Sequence, residues 1–514
     1  MIIPVPSSVR WTDGTFTFGD TVVSGPADLA ATARRVLGPS TALPLAPGTA
    51  DTDVLVLATD GRLGAEAYEL TVEPTAARIT GGSAAGVFYG LQSLRQLLPA
   101  AAFRAAPLPG TRWEVPCVEI VDQPRFGWRG SHLDVGRHFM PKPFLFRFVD
   151  LLAMHKLNVL HLHLTEDQGW RFESHRYPRL TEVGAHRAET RWPRERRGDS
   201  QPHGGFYSQD DLRELVAYAA DRFVTVVPEV ELPGHAQAAI AAYPELGNHP
   251  DRRLPVHTGW GVNENVLNAE EPTLRFFQDV YEELLDVFPG TYVHVGGDEC
   301  PKVQWEKSKR AQQLIAERGL ADEKELQSWF IREMATWLAA RDRRLVGWDE
   351  ILEGGLAPGA TVMSWRGEEG GIAAARAGHD VVMAPGSHTY LDHYQSDDPR
   401  EPRAIRGPAL PLERVYGYEP VPAELTEAEA AHVLGSQCQL WTEYLPTARH
   451  VEYMAFPRMC AFAEVVWSAA ERRSYDDFTV RLGGHLERLD ALGVEYRPLD
   501  GPHPWQRGGG RSRR

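Results

Sequence analysis

Only four of the 514 residues are cysteine, at positions 117, 300, 438 and 460. They are too far apart for paired-ligand zinc spacing or a compact disulfide framework, so reduced, buried thiols are the expectation. No apolar run approaches the ~20 residues that a membrane-crossing helix needs. Basic residues are outnumbered, 54 Lys and Arg against 70 Asp and Glu, for a net charge of -16. A nucleic-acid partner would call for a basic patch on the protein, so none is expected. The opening MIIPVPSSVRW has no basic segment leading into an apolar run. No secretory leader is read there, and a cytoplasmic location is the expectation. What remains is a globular composition, 43% hydrophobic and 24% charged, on a chain too long for one ordinary core.

The first stretch reads as a small α+β domain, residues 1–122. DVLVLAT (53–59), AYELTV (67–72) and ARITGG (77–82) have the character of strands. In the second, Tyr68, Leu70 and Val72 alternate with Glu69 and Thr71, the period of a sheet with one wet face. SAAGVFYGLQSLRQLL (83–98) has helical spacing, with Ser83 placed to cap its start. The proline-rich segment 107–126 reads as the connection onward.

Between residues 123 and 498 the rhythm changes. Eight strand-like runs, 128–135, 158–165, 224–231, 292–297, 344–350, 360–365, 380–385 and 436–443, alternate with amphipathic helical segments such as 141–156, 208–222, 272–288, 324–341 and 451–468. That alternation predicts a (β/α)8 TIM barrel, an α/β fold whose active site lies at the strands' carboxyl ends. A doubly wound sheet is the runner-up. It usually carries a glycine-rich phosphate loop after its first strand, and LDVGRHF is not one. Residues 499–514 read as a tail with a disordered end, RGGGRSRR.

Acids and aromatics recur at the strand exits: Glu166, Asp167 and Trp170; Glu229, Glu231 and His235; Asp298 and Glu299; Trp348, Asp349 and Glu350; Trp365 and Arg366; Tyr390 and Asp392; Trp441 and Glu443. Singly, each has an ordinary explanation as core or solvated cap. Together they describe a pocket with aromatic walls and a few placed polar groups, suited to stacking on a sugar ring and hydrogen-bonding its hydroxyls. The pair His161 and His163 on one strand face raises a metal-dependent barrel hydrolase as a rival. The last strand ends in LWTE, without the further ligands such a site needs, so interior hydrogen bonding is the preferred reading for these histidines.

WRG, DVGRHF, HLHLTEDQGWR, PEVELPGH, GWDE and above all YVHVGGDE, in this order, make the chain similar to the β-N-acetylhexosaminidases of glycoside hydrolase family 20. Glu166 and Glu231 stand where many members have Asp. The resemblance covers essentially the whole chain. It implies Glu299 as general acid and base, Asp298 as the partner of the substrate's 2-acetamido group, and Tyr390 as donor to the acetamido oxygen. It further implies Arg129, Asp392 and Glu443 on sugar hydroxyls, Trp348, Trp365 and Trp441 as pocket walls, and Asp167 and His235 supporting the acid pair from behind. Two glycines, 296 and 297, would leave room for the sugar to approach the backbone. The substrate implied is an oligosaccharide or glycoconjugate with a terminal β-linked N-acetylhexosamine. No cofactor and no metal are expected. A catalytically dead sugar-binding protein would be expected to have lost Asp298 or Glu299, and both are present.

Overall fold

In the computed structural model, which describes residues 2–508 apart from 194 and 196, eight parallel strands close into a barrel in sequence order. They are Trp128–Asp134, Val159–His163, Thr225–Glu229, Tyr292–His294, Arg344–Trp348, Thr361–Ser364, Val381–Met383 and Val433–Cys438. The eighth strand pairs back onto the first, Ser436 opposite Arg129 and Cys438 opposite Ser131. Seven of the eight expected runs coincide with these strands. The eighth strand starts and ends earlier than expected, so Trp441 and Glu443 lie in the loop after it. Register sets the chemistry of the barrel interior. Asp134 is level with His163, His163 with Glu229, and Glu229 with His294, so four polar side chains from neighbouring strands share one layer.

Helices alternate with the strands as the spacing predicts. Gln209–Ala220 starts with a capping box, in which the Ser208 side chain and Asp211 satisfy each other's backbone N–H groups. The expected helix over 451–468 is two, Ala448–Ala455 and Arg458–Trp467, divided at Pro457, which lacks the N–H a continuous helix needs.

The N-terminal unit is a six-stranded mixed sheet in the order Ser8–Phe18, Trp113–Asp122, Tyr68–Glu73, Ala76–Gly81, Val54–Thr59, Val22–Ser24. Helices Ala27–Thr41 and Ala84–Leu97 accompany it, and the Ser83 hydroxyl caps the second by accepting from Ala85 N–H. The segment expected to be a connection supplies Trp113–Asp122, an internal strand. Its proline disguised it in the sequence; Pro116 pairs where the register with Ser8–Phe18 shifts, an irregularity that tolerates a missing donor. Asp122, the last residue of that strand, and Trp128, the first of the barrel, are separated by five residues. Of the expected disordered end, 507–514, residues 509–514 lie outside the described residues.

Candidate active site

Asp298 and Glu299 leave barrel strand 4 through Gly296 and Gly297, which have φ of 71° and 100°. Both glycines are needed where they stand, but not for the reason expected. A Cβ on Gly296 would collide with the Glu231 carboxyl, and one on Gly297 would lie 2.7 Å from Ile351 Cγ2. At each glycine the Cβ position is occupied by another side chain of the protein. Glu299 itself is left-handed, φ 43°, as is His235, φ 49°. Such backbone costs of order 1–3 kcal/mol per residue and is held only where the surroundings fix it.

His235 is the hinge of the acid cluster. Its Nε2 lies 3.5 Å from Asp298 and 3.6 Å from Glu299, while its Nδ1 lies 3.0 Å from Glu166 and 3.8 Å from Asp167. The support from behind is therefore shared, and Glu166 is the nearer carboxylate. Asp167 instead accepts the Gln237 backbone N–H. Burial opposes a charge on His235, but Glu166 and Asp298 outweigh it and raise the imidazole well above its usual value. Burial alone would raise Glu166; Arg137 and His235 overcome it and hold the carboxyl down to about 2. Asp167, buried beside that charge, is pushed up to about 7. Burial raises Glu299, His235 opposes this, and the Asp298 charge adds to it. The direction expected from two adjacent acids is present, with desolvation as its larger cause.

Below this layer, Glu229 accepts from His163 and from the Trp348 indole N–H at 2.8 Å, with His294 Nδ1 at 2.8 Å and His161 Nε2 at 3.1 Å. Among the described residues, two groups could bring three ligand atoms to one ion here, His132–His163–Glu229 and His161–Glu229–His294. Of these histidines, His163 hydrogen-bonds the shared carboxylate, while both ring nitrogens of His132 are without a hydrogen-bond partner among the described residues.

The aromatic residues assemble as expected. Tyr390 and Trp441 form one cluster with the deeply buried Trp348, and Trp365 packs against it. Trp365 stacks on Tyr390, 6.1 Å between ring centres at 21°, and its indole N–H donates to Glu350. Burial raises Tyr390 well above the usual phenol range, so it is a neutral hydroxyl. Asp392 is buried, with neither carboxyl oxygen hydrogen-bonded among the described residues; burial and the neighbouring Glu443 raise it well above the usual carboxylate range.

Arg129 does not belong to this site. It is the second residue of barrel strand 1, at the end away from the exits, and its guanidinium is fully spent on Glu66 (2.8 and 3.0 Å), Tyr89 Oη and the carbonyls of Phe126 and Lys156. It joins the barrel to the N-terminal domain. The arginine at the mouth is Arg137, in the DVGRHF segment. It lies 2.7 Å from Glu166, 3.3 Å from Asp134 and 3.5 Å from Glu443, with its guanidinium 4.8 Å from the centre of the Trp441 ring. Asp134 was also overlooked. It accepts from Thr442 N–H and Oγ–H, both at 3.0 Å, and so ties the loop after strand 8 to the exit of strand 1. DVGRHF carries both residues; the position of its arginine past the strand end was the signal available.

The family model described as "Glycosyl hydrolase family 20, catalytic domain" matches residues 126–470, and that for "domain 2" matches residues 1–123. A β-hexosaminidase of Porphyromonas gingivalis is 49% identical over 448 residues, 86% of this chain; the chain spans 56% of that protein's length. A β-hexosaminidase of Akkermansia muciniphila is 37% identical, covering 83% of this chain and 84% of its own length. The structure of a β-N-acetylhexosaminidase from Streptomyces coelicolor superposes with a TM-score of 0.84 at 32% identity, covering 98% of each chain. An exo β-N-acetylglucosaminidase from Vibrio harveyi, in complex with N-acetylglucosamine, superposes at 0.86 with 35% identity, over 97% of this chain and 78% of its own. With both domains matched and the acid pair at the exit of strand 4, the chain belongs to glycosyl hydrolase family 20.

Proposed function

We propose that this chain removes terminal, non-reducing β-linked N-acetylglucosamine or N-acetylgalactosamine with retention, the substrate's own acetamido oxygen acting as nucleophile. The observation that carries this reading is the adjacency of Asp298 and Glu299, both facing one imidazole. A retaining glycosidase with a protein nucleophile needs two carboxyls ~5–5.5 Å apart, one on each side of the anomeric carbon. Neighbours on one strand exit, drawn to a common histidine, do not straddle a sugar in that way. They suit a division of labour. Glu299, kept protonated, gives its proton to the leaving oxygen and then takes one from water. Asp298 stabilises the positive charge that grows on the acetamido nitrogen as its oxygen closes on the anomeric carbon to form an oxazolinium ion. Tyr390 donates to the acetamido oxygen, and Trp365 and Trp441 confine the group. Arg137, Asp392 and Glu443 meet the hydroxyls. Related structures hold matching ligands: the Streptomyces plicatus β-hexosaminidase has been captured with GlcNAc and with Thio-NAglucal.

Hydrolysis of aryl β-glycosides of GlcNAc, GalNAc and glucose tests this directly. An intramolecular nucleophile in place is worth an effective concentration of order 10⁵ M or more, so the glucoside is expected to be essentially inert. A glucoside cut at a comparable rate, or a glycosyl ester trapped on any carboxylate, would overturn the proposal.

A further inference from the structure

Trp365, just past the end of barrel strand 6, is only half-buried, whereas Trp348 is enclosed. Close packing on all sides leaves Trp348 no room to turn. What fixes Trp365 must come from the few groups that touch it. Two adjacent acids in the turn Asp349–Leu352, at the exit of strand 5, share that work. Asp349 holds the backbone. Its Oδ2 accepts the N–H groups of Trp365 at 3.0 Å and Arg366 at 3.2 Å, and its Oδ1 accepts from Arg366 Nε at 2.5 Å. Glu350 holds the side chain, its Oε2 accepting the Trp365 indole N–H at 3.0 Å.

That is the one hydrogen bond the Glu350 carboxyl accepts among the described residues. Arg366 Nε, 3.8 Å away, is engaged by Asp349, and the far end of the same guanidinium by Glu353 at 3.2 Å. Glu350 borders the same hollow as Glu299, so it stands at the edge of the acid pair. Burial raises its carboxyl, the Asp298 charge adds to this and the indole hydrogen bond opposes both; it is pushed up to about 8. Below that pH it is a neutral acid, whose carbonyl oxygen still accepts an indole N–H. The stack on Tyr390, 6.1 Å between ring centres at 21°, leaves the indole free to slide and turn in its own plane. A hydrogen bond at the ring edge removes that freedom.

We infer that Glu350 is a positioning residue: by holding the Trp365 indole in place it sets the size of the acetamido pocket, and so which 2-acylamino group the chain accepts. The inference rests on the proposed function, in which Trp365 confines the acetamido group, and adds a determinant of N-acyl specificity to it. A wall fixed before the substrate arrives costs no ordering when the substrate binds. Released from Glu350, the indole gives way to a longer acyl chain and holds an acetyl group, with its attacking oxygen, less firmly.

The test compares kcat/KM for nitrophenyl β-glycosides of N-acetylglucosamine and N-propionylglucosamine. One methylene too many in a closed apolar pocket is worth about 10- to 200-fold, and the wild-type protein is expected to favour the acetyl substrate by that much. Glu350→Leu, which fills similar space without an acceptor, is expected to lower the preference by about three- to tenfold, the worth of one net hydrogen bond. Glu350→Gln, which keeps an acceptor oxygen, is expected to retain the wild-type preference whatever its absolute rate. The unfolding midpoint is followed alongside, because a loss of folded protein slows both substrates equally and leaves their ratio unmoved. A wild-type ratio in Glu350→Leu overturns the inference, as does a Gln variant that loses the preference or a wild-type protein that cuts both substrates alike. If Glu350→Leu does not fold, Glu350→Ala carries the same comparison. Failure of the wild-type protein to cleave the acetyl glycoside at all would instead count against the proposed function.

Discussion

Arg129 and Arg137 are eight residues apart, at opposite ends of barrel strand 1, and they do opposite things. Arg129 is completely enclosed. Its donors are matched by Glu66, two carbonyls and the Tyr89 hydroxyl, in the interface where Lys156 also meets Asp122 at 2.9 Å and the Trp467 indole donates to Asp122. Arg137 is shared among three carboxylates at unequal distances and lies against an aromatic wall. A saturated guanidinium has nothing left for a ligand. One held loosely among several acids can exchange part of its hydrogen bonding for sugar hydroxyls. The same contrast separates the two acidic layers: Glu229 accepts from His163 and the Trp348 indole, whereas Asp392 accepts from no donor among the described residues. Completeness of hydrogen bonding marks scaffold, and incompleteness at the mouth marks the place for a substrate.

Substitutions at the two ends should therefore separate kinetics from stability. The largest effect is expected for Glu299→Gln, which removes the transferable proton. Substrates with poor leaving groups should slow by about 10²–10⁴-fold, and those with good leaving groups by much less. Paired measurements on an oligosaccharide and a nitrophenyl glycoside check this, and equal losses would assign Glu299 another role. Trp441→Ala should cost about 10²-fold in kcat/KM, because a loosened wall misplaces the internal nucleophile. If only the melting temperature fell, Trp441 would belong to the scaffold.

The arginines give the direct comparison. Arg129→Met leaves the half-buried Glu66 carboxylate and two carbonyls without their donor and should cost about 1–3 kcal/mol of stability, read by denaturant unfolding, with kcat/KM per folded molecule unchanged. Arg137→Met should lower kcat/KM by about 10- to 100-fold, the loss of a charged hydrogen bond. A KM change in the Arg129 variant at unaltered unfolding midpoint would dissolve the distinction. The smallest expected effect is on the pH profile. Glu299 must be protonated to act as acid, so rates on poor leaving groups fall as pH rises through its raised pKa. The Asp298 charge is one of the causes of that elevation, so in Asp298→Asn the alkaline limb of the residual activity should move to lower pH. An unmoved limb would leave burial as the only cause that matters.

The sequence by itself determined the alternation of strands and helices, the position of the acid pair and the set of aromatics at the mouth. These depend on local periodicity and on where a strand ends, both written in consecutive residues. It misjudged Trp113–Asp122, because a proline in an internal strand is acceptable only opposite an irregularity in a partner about 100 residues earlier. It put Arg129 at the sugar although Arg137 is the arginine at the mouth, since both are arginines on the same strand-and-exit segment and the choice turns on Glu66, a residue of the other domain. Nor could it say why Gly296 is glycine, because the obstacle is the Glu231 carboxyl arriving from the neighbouring strand exit. Protonation followed the same rule. Glu166 and Asp167 are adjacent in the chain and chemically alike, yet one is held to about 2 and the other pushed to about 7, because only the first faces Arg137 and His235 closely. Secondary structure and motif position are short-range properties. Which charges meet, and which are left for a substrate, is decided by contacts between residues remote in sequence, and those exist only once the barrel has closed.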